Sequence, residues 1–182
     1  MSATRLLVLG AVRRHGIAHG YLVSRELDAI GAQKWAKLKS GSIYHALRQL
    51  TKDGLMHAAQ IDEWPGRVDY RVTEQGEREF VRLLRDALRK PGPRADLLAA
   101  ALSLLSEIPR DEAAELLRER LSAQEAERAD LADQMEAAED SGRLAELYGM
   151  LMQSADCGVA WTRSLLERLE SPPESAAGRP SP

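Results

Sequence analysis

Between residues 40 and 76 the spacing of apolar residues changes twice, and this limits the chain to few folds. In Ser40–Gly54, Ile43, Leu47 and Leu50 recur at helical intervals with Ala46 beside them, so this stretch predicts an amphipathic helix. Ser40 is placed to cap it and Gly54 to end it; Ile43 stands where a full capping box would have Glu or Gln. Residues 55–61 then suit a strand. Asp62-Glu-Trp-Pro-Gly66 reads as a turn, and in Arg67–Thr73 the residues Val68, Tyr70 and Val72 alternate on one side. From Glu74 the helical period returns, with Phe80, Leu83, Leu84, Ala87 and Leu88 on one face and Thr73 as the cap. Upstream, two more helices are expected, over residues 5–14 and about Gly20–Ile30, with a basic stretch (Lys34, Lys37, Lys39) before the third. Three helices followed by a hairpin is the order of a winged helix-turn-helix domain.

Beyond Pro91-Gly-Pro93 everything reads as helix. Residues 94–106 are rich in Leu and Ala. A long helix is expected from Pro109 towards Glu139, with a seam of Leu117, Leu121, Leu131, Met135 and Ala138 interrupted by Gln124 and Arg128. A last helix is expected over Arg143–Leu169. The expected organisation is therefore mainly α with one small β-hairpin. Residues 1–90 form the winged helix-turn-helix domain, 94–170 a helical dimerisation domain, and 171–182 a Pro-rich disordered tail.

Charge divides the chain. Its formal net charge of −3 hides a basic start: residues 1–60 hold 9 Lys and Arg against 3 Asp and Glu. Residues 91–182 hold 9 against 18. A basic half suits a polyanion and an acidic half needs another task. The single cysteine, Cys157, allows neither an internal disulfide nor a cysteine-rich zinc site. No apolar run reaches the roughly 18 residues of a membrane span, and the start has no signal-peptide layout, so a cytoplasmic protein is expected. Phosphate-loop, dinucleotide, nucleophile-elbow and zinc-protease motifs are all missing. No enzyme activity and no cofactor or metal are expected.

The motifs Leu6-Leu-Val-Leu-Gly10, His19-Gly-Tyr21, Gly41-Ser-Ile-Tyr-His-Ala-Leu-Arg-Gln-Leu50, Asp53-Gly-Leu55 and Tyr70-Arg-Val-Thr-Glu-Gln-Gly76 follow one another in order. In this set the chain resembles the PadR family of bacterial transcriptional regulators. The resemblance implies a winged DNA-binding domain, a helical part that dimerises, and repression of nearby genes, in some members relieved by phenolic acids or hydrophobic drugs. Two positions depart from the family pattern. His45 stands where Pro is common, and the wing from Asp62 to Asp69 carries three acids and only Arg67.

The outward face of the third helix carries Gly41, His45, Arg48 and Lys52, flanked by Tyr44 on one side and by Ser42 and Gln49 on the other. With this helix in the major groove, Ser42, His45 and Gln49 are the expected base readers and Arg48 a reader or phosphate clamp. Tyr44 and Tyr21 either donate to phosphates or pack against a neighbouring helix. Lys37, Lys39, Ser40, Lys52 and Arg67 complete the expected contacts to double-stranded DNA. On the last helix, Leu144, Leu147, Leu151, Leu165 and Leu169 either pair with a second copy or close an intrachain bundle. Tyr148, Met152 and Trp161 either line a pocket for a small effector or fill the core. A dimeric DNA-binding regulator is the leading reading; a winged-helix adaptor that binds protein instead of DNA is the alternative.

Overall fold

The computed structural model describes residues 2–62, 64, 66–137 and 142–171. The expected tail, apart from Ser171, and the expected turn at 140–142, apart from Gly142, lie outside the described residues. The chain divides into two compact units, residues 1–88 with 92–108, and residues 89–91 with 109–182.

The first unit is built around α1 (Ala3–His15), in which every residue from Leu6 to Val12 is buried. After a two-residue strand β1 (Ala18–His19) come α2 (Gly20–Ala29), a single turn α3 (Ala32–Trp35) and α4 (Ser40–Lys52). The amphipathic pattern of α4 behaves as expected: Ile43, Leu47 and Leu50 are buried. Its start differs, because Lys39 and not Ser40 occupies the cap position, with no side-chain bond. The Lys39 carbonyl instead accepts from Ser42 N at 2.8 Å, so the turn is closed by backbone alone. Lys37 takes a left-handed φ of 52°, which non-glycine residues rarely adopt. Gly54, at a φ of 73°, ends the helix as expected.

The hairpin is β2 (Met56–Gln60) and β3 (Val68–Val72), antiparallel with Ala58 opposite Tyr70. β1 adds a third strand that the sequence did not announce, pairing Ala18 with Tyr70 and His19 with Asp69. α5 (Glu74–Arg89) buries the expected Phe80, Leu83, Leu84, Ala87 and Leu88. Thr73 caps it, accepting from Gly76 N at 3.0 Å while donating to Gly54 O at 2.8 Å. One threonine thus ties the end of α4 to the start of α5.

The expected domain boundary at 90–94 is displaced. α6 (Ala95–Ser103) and the following 3-10 turn (Leu105–Glu107) belong to the first unit, packed on α1. The cause is Gly10: a Cβ there would stand 2.7 Å from Leu104 Cδ2, so the missing side chain makes room for the leucine. Arg13 and Arg14 of α1 both pair with Glu107, and Arg13 also pairs with Glu77 at 2.6 Å. Pro91-Gly-Pro93 breaks a helix but does not end the core.

The second unit is an antiparallel helix pair, α7 (Arg110–Ala137) and α8 (Gly142–Glu170). Arg118 meets Glu170, Glu125 meets Arg163 and Arg128 meets Asp156, partners that run in opposite directions along the two helices. Ala114, Leu117 and Leu166 form the core, with Leu121, Leu165 and Leu169 packed against it. Gln124, expected to interrupt the seam, is part of it: buried Thr162 donates to Gln124 Oε1 at 2.7 Å. Gly158 leaves the space, since a Cβ there would lie 2.9 Å from Gln124 Nε2.

The expected stripe on α8 splits. The α7-facing seam is Ala145, Tyr148, Met152, Ala155, Val159, Thr162, Leu166 and Leu169, all buried or half-buried. Leu165 and Leu169 pack into the intrachain core. Leu144, Leu147 and Leu151 instead turn away and are exposed, together with Met150 and Trp161. A 3.6-residue helix with apolar residues in both registers carries two apolar faces. Among the described residues no helix is long and apolar enough to cross a membrane.

Candidate nucleic-acid interface

Helix α4 presents Gly41, His45, Arg48 and Lys52 to solvent along one ridge. Arg48 and Lys52 have no carboxylate partner among the described residues. A groove runs along each side of the ridge.

The groove towards the hairpin has a volume of about 690 Å³ and is lined by His19, Tyr21, Tyr44, Arg48, Arg67 and Tyr70, among others. The ring of Tyr44 lies on the first turn of α2: a Cβ at Gly20 would be 3.0 Å from both Cδ1 and Cζ. Packing and phosphate contact are therefore not alternatives at Tyr44. The ring is fixed by packing and the side chain stays partly exposed. Tyr21 is 63% exposed and stands parallel to the His19 ring, 6.3 Å away. His19 caps α2, its Nδ1 accepting from Leu22 N at 3.3 Å. Burial pushes the Tyr70 phenol above its ordinary range against the opposing charge of Arg48, so Tyr70 stays a neutral donor.

The groove on the other side has a volume of about 460 Å³ and is lined by Ser2, Thr4, Arg5, Ser42, His45 and Gln49, among others. Gln49 is not free. Its Nε2 donates to Asp53 Oδ1 at 2.8 Å, and Arg5 Nη1 donates to Asp53 Oδ2 at 2.7 Å. The Arg5 and Gln49 hydrogen bonds hold the Asp53 carboxyl below the usual carboxylate range. One hydrogen of the Gln49 amide is thus engaged, which leaves its second N–H and its carbonyl oxygen.

The structure thus gathers Tyr21, Tyr44, Arg48 and Arg67 at one groove and Ser42, His45 and Gln49 at the other. Lys37, Lys39 and Ser40 are exposed on the turn leading into α4, and Lys52 at its end. Arg67 is the exception in character, since Asp69 occupies it through two bonds of 2.8 and 3.1 Å. Sequence reasoning missed Arg5, Asp53, His19 and Tyr70. Three of these stand in the motifs His19-Gly-Tyr21, Asp53-Gly-Leu55 and Tyr70–Gly76, but only the fold brings them to α4. In the second unit, Tyr148 and Met152 face α7 while Trp161 is exposed on the other side of α8, so these three do not line one pocket.

Helices α1, α2 and α4 with the β2–β3 hairpin, and the exposed α4 ridge between two grooves, define a winged helix-turn-helix fold. Residues 8–82 match the transcriptional regulator PadR-like family. Similar solved structures include the following three. Bacillus subtilis PadR in complex with operator DNA shares 21% identity, with 91% of this chain and 98% of that chain covered and a TM-score of 0.41. The same protein in complex with p-coumaric acid shares 20%, covering 93% and 97%, also at 0.41. The PadR-like regulator BC1756 from Bacillus cereus shares 21%, covering 92% and 98%, at 0.40. No protein among the curated ones matches the chain.

Proposed function

We propose that this chain is a dimeric, sequence-specific DNA-binding regulator that represses its own gene or neighbouring genes. The observation that carries the reading is the α4 ridge, whose cations have no carboxylate partner among the described residues. A helix about 10–12 Å wide fits the major groove. His45 and Ser42 then reach base edges with the carbonyl of Gln49, while Arg48, Tyr44 and Tyr21 take phosphates beside the ridge. Lys37, Lys39 and Lys52 add attraction without sequence preference. The exposed Leu144, Leu147, Met150, Leu151 and Trp161 give α8 a face that a second copy covers, which would set two recognition helices about 34 Å apart, one turn of DNA. Bound over a promoter, such a dimer excludes polymerase. The reading includes relief by a small hydrophobic effector, on the strength of the family resemblance. Tyr148, Met152 and Trp161 do not form its seat as a set.

The test is a gel shift of the full-length chain on fragments upstream of its gene across a salt series. The expected result is binding whose logarithm falls with log salt by about 0.9 for each phosphate neutralised. Absence of binding to every fragment at low salt, or a flat salt dependence, would favour the protein-binding adaptor.

Positioning and readout separate by mutation. Tyr44→Phe is expected to weaken binding to cognate and random duplexes alike. His45→Ala is expected to cost about 1–3 kcal/mol on the cognate site only. Unchanged discrimination in the His45 variant would remove that residue from the base-reading set.

A further inference from the structure

We propose that Asp69 acts as an internal stand-in for a DNA phosphate, holding the wing's Arg67 away from the duplex and so lowering affinity for DNA of any sequence. The inference rests on the DNA-binding reading above and concerns a residue that the reading leaves unassigned.

Arg67 and Arg48 both line the 690 Å³ groove between α4 and the hairpin, yet they are in different states. Arg48 has no carboxylate partner among the described residues. Arg67 directs Nε and Nη2 onto the two oxygens of Asp69 at 2.8 and 3.1 Å. This is the two-pronged geometry with which a guanidinium grips a phosphate. The same guanidinium lies 5.9 Å from the centre of the Trp64 ring, so its open face is also covered. Asp69 is fixed in β3, opposite His19 of β1, and its side chain is only 15% exposed, so it does not swing away with a loop. The hydrogen bond from Arg67 keeps the Asp69 carboxyl below its ordinary range, so the pair stays charged at neutral pH.

The consequence is one of overall affinity and salt dependence. Phosphate contacts carry no sequence information and add to cognate and random duplexes alike, whereas base edges supply discrimination. A wing cation already satisfied by Asp69 is withheld from both. Asp69 thus sets how tightly the chain holds DNA of any sequence, acting through Arg67, and leaves discrimination to the base contacts of α4.

The experiment is a double-mutant cycle on the full-length chain with Arg67→Ala, Asp69→Asn and both together, measured on a random duplex and on the cognate fragment across a salt series. Arg67→Ala alone should leave affinity and salt slope nearly unchanged. Asp69→Asn should tighten binding to the random duplex and to the cognate fragment alike by up to about fivefold and steepen the slope by about 0.9. Adding Arg67→Ala to that variant should abolish the slope change, and Asp69→Glu should restore wild-type behaviour. Thermal unfolding of each variant shows whether the hairpin persists, and the double variant removes both charges together, so that no bare carboxylate is left in the groove. If Arg67→Ala lowers the slope by about one in the wild-type background, or acts equally in both backgrounds, Asp69 withholds nothing and the inference fails while DNA binding stands. A wild-type chain that binds no duplex overturns the DNA reading and this inference with it.

Discussion

Replacing Gly76 by alanine is expected to destabilise the first unit by about 3 kcal/mol, at the upper end of overpacking effects, and to lower its Tm by about 10–20 °C. Gly76 is buried in the first turn of α5, and an added Cβ would sit 2.7 Å from Val72 Cγ1 and 3.0 Å from the carbonyl carbon of Leu55. A side chain can turn aside; the Leu55 backbone cannot do so freely. Its carbonyl accepts from Thr73 N at 3.0 Å, and Thr73 is the residue that joins α4 to α5. Moving it loosens the α5 cap and the hairpin together. Thermal unfolding followed by circular dichroism measures the shift. A Tm within a few degrees of wild type would mean that the α5 turn yields at little cost.

If the proposed dimer forms through α8, Leu147→Asp with Leu151→Asp is expected to convert it to a monomer and to weaken cognate binding by about 10²–10⁴-fold. Both side chains are exposed on α8, at 45% and 36%, away from the core of Leu117 and Leu166. Carboxylates there face water in a single copy, so the helix pair itself should keep its fold. In a dimer they would be buried and opposed to their own symmetry mates. The advantage of two linked half-sites, in which the second contact is intramolecular, would disappear. Sedimentation velocity and the gel shift read the two effects. A dimer that survives both substitutions would move the interface off this face.

Where the sequence spoke, it spoke through local periodicity. The hairpin was legible because Val68, Tyr70 and Val72 alternate beside Pro-Gly, and α5 because Phe80, Leu83, Leu84, Ala87 and Leu88 fall on one stripe. The ridge of α4 followed from the same reasoning. Long-range features were not legible. Gly10 has no local signature that points to Leu104, so residues 94–108 were set with the wrong unit. Gln124 looked like a flaw because Thr162 lies 38 residues away. On α8 two apolar registers overlap, and spacing alone does not say which one α7 takes. The Arg67–Asp69 pair was the exception that could have been found, since residues two apart on a strand share a face and these two carry opposite charges.

The seating of Leu104 over Gly10 bears on how the protein is made. A chain emerging from the ribosome presents α1, α4 and the hairpin once residue 90 has cleared, yet the surface of α1 that receives Leu104 is still bare. The missing piece lies beyond a Pro-Gly-Pro stretch that looks like an end. Domains complete as units during synthesis. The first unit therefore closes only after residue 108 has emerged. Until then the nascent chain carries an apolar notch beside Gly10 for which its own next segment is the intended filling.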